Sequence, residues 1–301
     1  MSIPRSASFL NTDDNLILII NDTNSPGILI ESVDGIYAYS ADVSTSPYSQ
    51  THGSKYKTTR VPQRNIVING KIYADDTTPS FYDNRQMLYR IFRPSSKGVF
   101  TYYETGEENR LAGYYVESVT IDQKWHIGDF QISLICPDPF FYSEDDITVE
   151  LAAWHAGWTF PHNFVAAGEP IGERSATMLQ EIENENGVSD IGLNITMSCT
   201  GDVVNPYVYL YETGERISVG TSARPFTLLS GQTITIDTTT GEKSITLSQS
   251  GTEDTSIISY IDSGSAFFQL GAGVNTIGYN ADSGAANLIV IVRYRMRFLG
   301  V

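Results

Sequence analysis

The sequence predicts a mainly β protein, and three observations carry that expectation. The chain holds 18 Tyr and 13 Phe among 41% hydrophobic and only 18% charged residues, a balance of folded rather than disordered chains. Thr, Ser, Ile and Val fill many short segments, and these residue types suit a pleated, half-buried surface. Turn residues punctuate the chain at short intervals, and one segment alone reads convincingly as a helix. A length of 301 residues suffices for two ordinary domains or one large all-β domain.

The elements follow in order. "LILIIN" and "GILIES" are apolar runs ended by Asn21–Asp22 and Asp34–Gly35, and read as strands. Ala41–Tyr56 is polar and rich in Ser, Thr, Gly and Pro, and reads as a long loop. "RNIVINGKIYAD" alternates around an Asn69–Gly70 signal that suits a bulge or a hairpin. "SFYDNRQMLYRIFRP" is the helix: Ser80 caps it, and Asp83 stands three residues on. Phe81, Leu88, Ile91 and Phe92 share a face with the Arg85 stem, and Pro94 stops the helix. Val99–Tyr103, Leu111–Ile121 and Asp129–Cys136 read as strands, the last with Phe130, Ile132 and Leu134 alternating against Asp129, Gln131 and Ser133.

"CPDPFF" then ends that strand, because Pro137 cannot donate to a ladder. Pro137, Pro139, Phe140 and Phe141 are the candidate packing residues of a domain junction, ahead of the acidic run Glu144–Asp146. The expected division is 1–145 and 146–301. Residues 150–180 read as a linker that becomes the first strands of the second domain. From Thr177 the pattern is strands and turns throughout; "IENENG" suits a helix tail by propensity, but its place before other strands favours a strand, and seven or more short strands argue for a sandwich or jelly roll.

The net charge is −16, from 19 basic and 35 acidic residues. Each half is negative, so neither carries the footprint of a nucleic-acid binder. Within that acidic chain, Val43–Ala74 has no Asp or Glu but holds Lys55, Lys57, Arg60, Arg64 and Lys71. Such an island is either a solvated face or a contact surface for an acidic neighbour, including another copy of the chain. Two cysteines, Cys136 and Cys199, make no disulfide framework and read as small buried hydrophobes. The first residues lack the apolar stretch of a signal peptide, and the longest aliphatic run is Leu16–Ile20, so folding in a cytoplasm without membrane insertion is expected.

No motif for chemistry emerges. His155 and His162 are seven apart, outside the usual spacing of zinc ligands. The acidic pairs Asp75–Asp76, Glu107–Glu108 and Asp145–Asp146 are adjacent in sequence, which says nothing of two carboxylates facing each other across a sugar. "NADSGAAN" lacks the oxygen ligands of a calcium loop and reads as a turn. No cofactor and no enzymatic activity are expected. Trp154 and Trp158 are weak candidates for sugar stacking, and Tyr207, Tyr209 and Tyr211 share one strand face, where packing is the plainer use.

Taken in order, "RNIVINGKIY", "NRQMLYRIF", "YYVESVTI" and "FQISLICPDPFF", then "IENENG", "VNPYVYLYETGE", "ITIDTTTGEKSI", "FFQLGAGVNTIGYNADSG" and "RYRMRFLGV", resemble the distal tail protein family of long-tailed bacteriophages. The resemblance covers almost the whole chain. It implies an N-terminal, tail-tube-like β-sandwich with one α-helix that forms a homohexameric ring, and a C-terminal galectin-like β-sandwich projecting outward. It implies a place at the virion tail tip, joining the tail tube protein to tip and receptor-binding proteins, with a lumen through which the tape measure and DNA pass. Assembly would take place in the host bacterial cytoplasm. Some members carry an inserted carbohydrate-binding module, for which 301 residues leave no room. Two other readings stand beside it: a sugar-binding protein acting through the second sandwich, and a cell-wall hydrolase, for which neither a carboxylate pair nor a metal motif is found.

Overall fold

The computed structural model describes residues 6–19, 27–74, 79–103, 108–124, 127–151, 154–156, 172–174, 179–185, 188, 190–249 and 254–301. The chain forms two units, Met1–Glu144 with Arg297–Val301, and Asp145–Met296. The sequence places the last of these residues in the second domain; in the structure Arg297–Val301 close the first.

The first unit contains β1 (Ser6–Asn11), β2 (Leu16–Ile19), β3 (Ile28–Asp34), β4 (Asp42–Pro47), β5 (Ser54–Arg60), β6 (Arg64–Tyr73), α1 (Phe81–Ile91), β7 (Lys97–Tyr103), β8 (Arg110–Lys124), β9 (Ile127–Cys136) and β10 (Phe141–Ser143). The second contains β11 (Ile147–Glu150), β12 (Trp154–Ala156), β13 (Gly172–Arg174), β14 (Leu179–Asn184), β15 (Asn194–Cys199), β16 (Val203–Leu210), β17 (Arg216–Ser218), β18 (Thr227–Leu228), β19 (Gln232–Asp237), β20 (Ser244–Gln249), β21 (Thr255–Ser256), β22 (Gly273–Ser283) and β23 (Leu288–Tyr294). The short β24 (Arg297–Phe298) belongs to the first unit.

One antiparallel sheet organises the first unit, in the order β2-β1-β7-β8-β9-β6-β3, with β10 on β8 and β24 on β10. Its layers are thus joined by hydrogen bonds around a shared core. The alternation in β6 and β9 has a direct cause: Ile66, Ile68 and Ile72 pair beside Phe130, Ile132 and Leu134, and all six are buried. Phe9 sits among Phe92, Phe100 and Tyr114, with ring centroids 5.0–6.2 Å away.

Helix α1 starts where Ser80 accepts the Asp83 amide at 3.2 Å, and the two side chains hydrogen-bond in return at 2.7 Å. Phe81, Asn84, Leu88 and Ile91 are its buried face. Asn69–Gly70 does not turn the chain, because β6 runs straight through it. The irregularity lies on the partner strand, where the β3 pairing shifts between Ile30 and Ser32. Gly70 is needed for a different reason: a Cβ there would stand 2.3 Å from the Leu29 carbonyl oxygen and 2.5 Å from the Phe130 ring. Ala41–Tyr56, expected as a loop, contains β4 and the start of β5, which pair as a separate hairpin.

In the second unit two antiparallel sheets face each other: β11-β23-β15-β19-β20-β21, and β14-β22-β16-β17 with β18 on β16. One apolar cluster fills the space between, with Ile195, Met197, Ile234, Val290 and Val292 from the first sheet and Val208, Leu210, Ile217, Ile277 and Tyr279 from the second. "IENENG" contributes strand β14, as its position among strands suggests. Both cysteines are free and buried. Burial pushes the Cys136 thiol up to about 12 and raises that of Cys199 as well.

Candidate assembly interface

The hairpin β4–β5 is the least covered ordered element of the first unit. Asp42 pairs with Arg60, Val43 with Thr59, and Pro47 with Ser54, with a register shift after Ser44 that leaves Lys57 without a cross-strand partner. Tyr48 and Gly53 close the turn, where Gly53 adopts φ +102°. Every residue of the two strands except Ser46 is exposed, and none joins the apolar core. Ser, Thr and Pro alternate with large side chains here for no buried face, which is why period-two reasoning misses the strands. Val43, Tyr48 and Tyr56 are 52–59% exposed. Lys55, Lys57 and Arg60 lie on the same hairpin, where, among the described residues, Arg60 pairs with Asp42 at 3.3 Å, exposed and of little energetic worth.

The basic island of the sequence is therefore divided. Arg64 differs from the hairpin cations in being buried: it is 6% exposed. Its Nε donates to the Pro139 carbonyl at 2.7 Å, one terminal nitrogen to Gly35 and Ala38 at 2.6 and 2.8 Å, and the other to Leu299 at 2.5 Å. The guanidinium also lies 4.6 Å from the Phe141 ring centroid. Burial pulls its pKa below the usual arginine value, and the Cys136 thiol opposes that shift. Lys71 is on the solvent side of β6 and pairs with Glu31, which raises its pKa. Beside the base of the hairpin, Gly35, Tyr39, Val61, Pro62, Arg64 and Pro139 contribute to an open cleft of about 360 Å³.

The solvent side of β3, β6, β9 and β8 has the opposite character. Among its described side chains are the carboxylates of Glu31, Asp34, Glu117, Asp122 and Asp129, all exposed, against Lys71 as the cation. Asp122 and Asp129 are direct cross-strand partners. Amides and hydroxyls tie the rest of the face together: Gln131 donates to Asn69, Asn69 to Ser32 and Asp34, and Asn65 to Glu117 and Ser133, at 2.9–3.2 Å. This face is polar, acidic and hydrogen-bonded within itself.

The junction residues gather in the first unit. Phe141 is fully buried, and its strand β10 pairs with β8 and β24. Arg297 stacks on Phe140 at 3.8 Å, and Pro139 supplies the carbonyl that Arg64 holds. Pro137 is exposed just past the end of β9. Of the sugar candidates, Trp154 has its backbone in β12, paired with Arg174, while its side chain and the whole of Trp158 lie outside the described residues, as does His162. Tyr207 and Tyr209 lie 6.1 Å apart on β16, and the Tyr209 ring covers Gly278, where a Cβ would approach it to 2.4 Å. Among the described residues no cluster of His, Cys, Asp and Glu could hold a metal, and no helix is long and apolar enough to cross a membrane.

Comparison with known proteins assigns both units. The phage tail protein RIFT-related domain matches residues 19–136, and the C-terminal domain of the siphovirus-type tail component matches residues 186–298. No curated protein matches the chain in sequence. Among solved structures, the Dit protein of phage SPP1, described as a paradigm of the hub adsorption apparatus in phages infecting Gram-positive bacteria, is similar with a TM-score of 0.68 at 12% identity, over 97% of this chain and 99% of that one. Chains of the phage p2 baseplate in its activated conformation, with Sr and with Ca, are similar with TM-scores of 0.52 and 0.51 at 10% identity, over the full length of both partners. At such identities the likeness is one of fold. The two domain matches, in order and one to each unit, carry the assignment: the chain belongs to the siphovirus-type distal tail (Dit) component family, whose members are structural proteins of the phage tail and not enzymes.

Proposed function

We propose that this chain is the hub of a phage baseplate, forming a homohexameric ring that joins the distal end of the tail tube to the tail-tip and receptor-binding proteins. The observation that carries the proposal is the hairpin β4–β5. A two-stranded hairpin is marginal in water by itself, and this one contributes nothing to its own unit's core. It is an arm suited to a neighbour, with apolar Val43 and Tyr56 for contact and Lys55, Lys57 and Arg60 for an acidic partner. A copy of the same chain, at −16, offers such a partner, and an arm binding a different patch of the next copy generates a ring when the rotation closes.

The acidic face of Glu31, Asp34, Glu117, Asp122 and Asp129 suits the lumen side of that ring. Fixed carboxylates repel the DNA backbone, so DNA and the tape measure slide past without adhering. The ring assembles in the host cytoplasm and remains at the tail tip of the virion. Light scattering coupled to size exclusion, with and without the tail tube protein, tests the reading. About six times the protomer mass of 33.2 kDa, lost when residues 42–60 are replaced by a short turn, is the expected result. An assembly of unchanged mass without the hairpin would overturn it.

A further inference from the structure

We infer that Arg64 and the returning segment Arg297–Val301 form a strap that sets the position of the β4–β5 hairpin, so that the arm is presented correctly only after the second unit has been synthesised. The inference rests on the reading of the hairpin as a subunit contact.

The hairpin has one stalk, formed where the chain leaves β3 through Gly35–Ser40 and returns through Val61–Gln63 to β6. Few contacts of the hairpin itself fix that stalk, since its strands pair only with each other. The first residue of β6, Arg64, supplies the anchor. Its fork grips Gly35 and Ala38 on the outgoing side of the stalk, Pro139 beyond β9, and Leu299 of the returning segment. Guanidinium geometry is what allows one side chain to serve four carbonyls in fixed directions.

The returning segment completes the clasp from the other side. Phe298 pairs with Phe141 in the β10–β24 ladder, and the Arg110 guanidinium lies 3.2 Å from the Phe298 ring centroid. Arg297 stacks on Phe140 and approaches Asp138 at 3.8 Å, with only 14% of its side chain exposed. The Val301 amide then donates to the Ile36 carbonyl at 3.3 Å, and Gly300 lies against the same carbonyl with an ideal Cβ position 3.4 Å away. The strap therefore touches the outgoing side of the stalk directly, at Ile36, and indirectly, through Arg64.

Topology gives this contact a temporal meaning. Strands β1 to β10 precede the second unit in the chain, whereas Arg297–Val301 follow all of it. The core of the first unit can form from the earlier residues, since only Phe298 and Val301 of the later segment pack against it. Until they arrive, Arg64 lacks one partner and Ile36 another, and the stalk is held on fewer contacts. Arg64 is in this sense a positioning residue for the arm, and the strap couples the arm's placement to completion of both units.

The test is a distance distribution rather than a stability. Spin labels at S44C on the hairpin and T120C on β8, both exposed positions, are read by pulsed dipolar spectroscopy after dilution with unlabelled chain; buried Cys136 and Cys199 stay unlabelled. The full chain is expected to give one narrow distribution. Deleting Arg297–Val301, and separately Arg64→Lys, which cannot reach all four carbonyls, should each broaden it at least twofold while far-UV circular dichroism holds. Should the deletion fail to fold, Arg64→Lys alone decides. A distribution as narrow as that of the full chain, or one already broad in the full chain, would overturn the strap. Loss or retention of the ring on removing the hairpin is a separate result, which judges the hub and leaves the strap standing or falling on the distances.

Discussion

Replacing Arg64 by Leu should destabilise the first unit by about 3 kcal/mol. Four hydrogen bonds run from the guanidinium to backbone carbonyls, and a hydrogen bond to a charged group contributes roughly 1.5–3 kcal/mol. Their sum, roughly 6–12 kcal/mol by that measure, is opposed by the cost of taking the ion out of water, several kcal/mol. Leu then restores apolar burial beside Phe141 but leaves the carbonyls of Gly35, Ala38, Pro139 and Leu299 without their donor. The net loss falls near 3 kcal/mol, because a buried acceptor left without its donor costs about 1–3 kcal/mol and water reaches part of this open site. For a unit of this size roughly 2–4 °C accompanies each kcal/mol, so its transition should fall by roughly 6–12 °C. Hydrogen exchange along a thermal ramp reads the units separately: peptides from β6, β8 and β9 should lose protection early, and those from β15, β19 and β23 should not. A loss under ~1 kcal/mol would mean that water replaces the donor at all four carbonyls, and would refute the clasp as a source of stability.

Three further outcomes are expected. The double substitution Asp122→Lys and Asp129→Lys should convert an acidic patch into one that retards duplex DNA in a gel at low salt, an effect that disappears as salt rises, whereas the unaltered chain leaves DNA free. Native protein should show no thiol reactive toward Ellman's reagent at pH 8, because both cysteines are buried and burial raises both thiols, Cys136 to about 12, so that little thiolate is present at that pH; denaturant should release two. Ser80→Ala should cost about 1 kcal/mol through loss of the cap on α1, measured by chemical denaturation of the first unit.

What was legible in the sequence was local. The helix declares itself because its cap, its apolar face and its stop at Pro94 lie within fifteen residues of each other, and each acts on the chain next to it. Strand β9 is equally plain, since half-burial imposes a period of two on neighbouring residues. The hairpin hides for the same reason: with nothing buried, β4 and β5 carry no alternation, and their Ser, Thr, Pro and Gly read as loop. Asn69–Gly70 stands opposite the β3 bulge and makes no hairpin, and its glycine answers to the Phe130 ring, sixty residues away.

Arg64 shows where counting charge reaches its limit. Along the chain it stands among Lys55, Lys57, Arg60 and Lys71, and a tally of basic residues treats the five alike. Its partners are separated from it by 26, 29, 75 and 235 residues, and all are backbone carbonyls, which leave no mark in the sequence. The same charge therefore does two different things four residues apart: at Arg60 it is presented to whatever approaches, and at Arg64 it is spent on holding the stalk from which Arg60 is presented. Reversing both charges together would thus confound two effects. A loss of assembly on Arg60→Glu alone, with the first unit's unfolding unchanged, speaks for contact; the same loss on Arg64→Glu, with that unit destabilised, speaks only for the clasp.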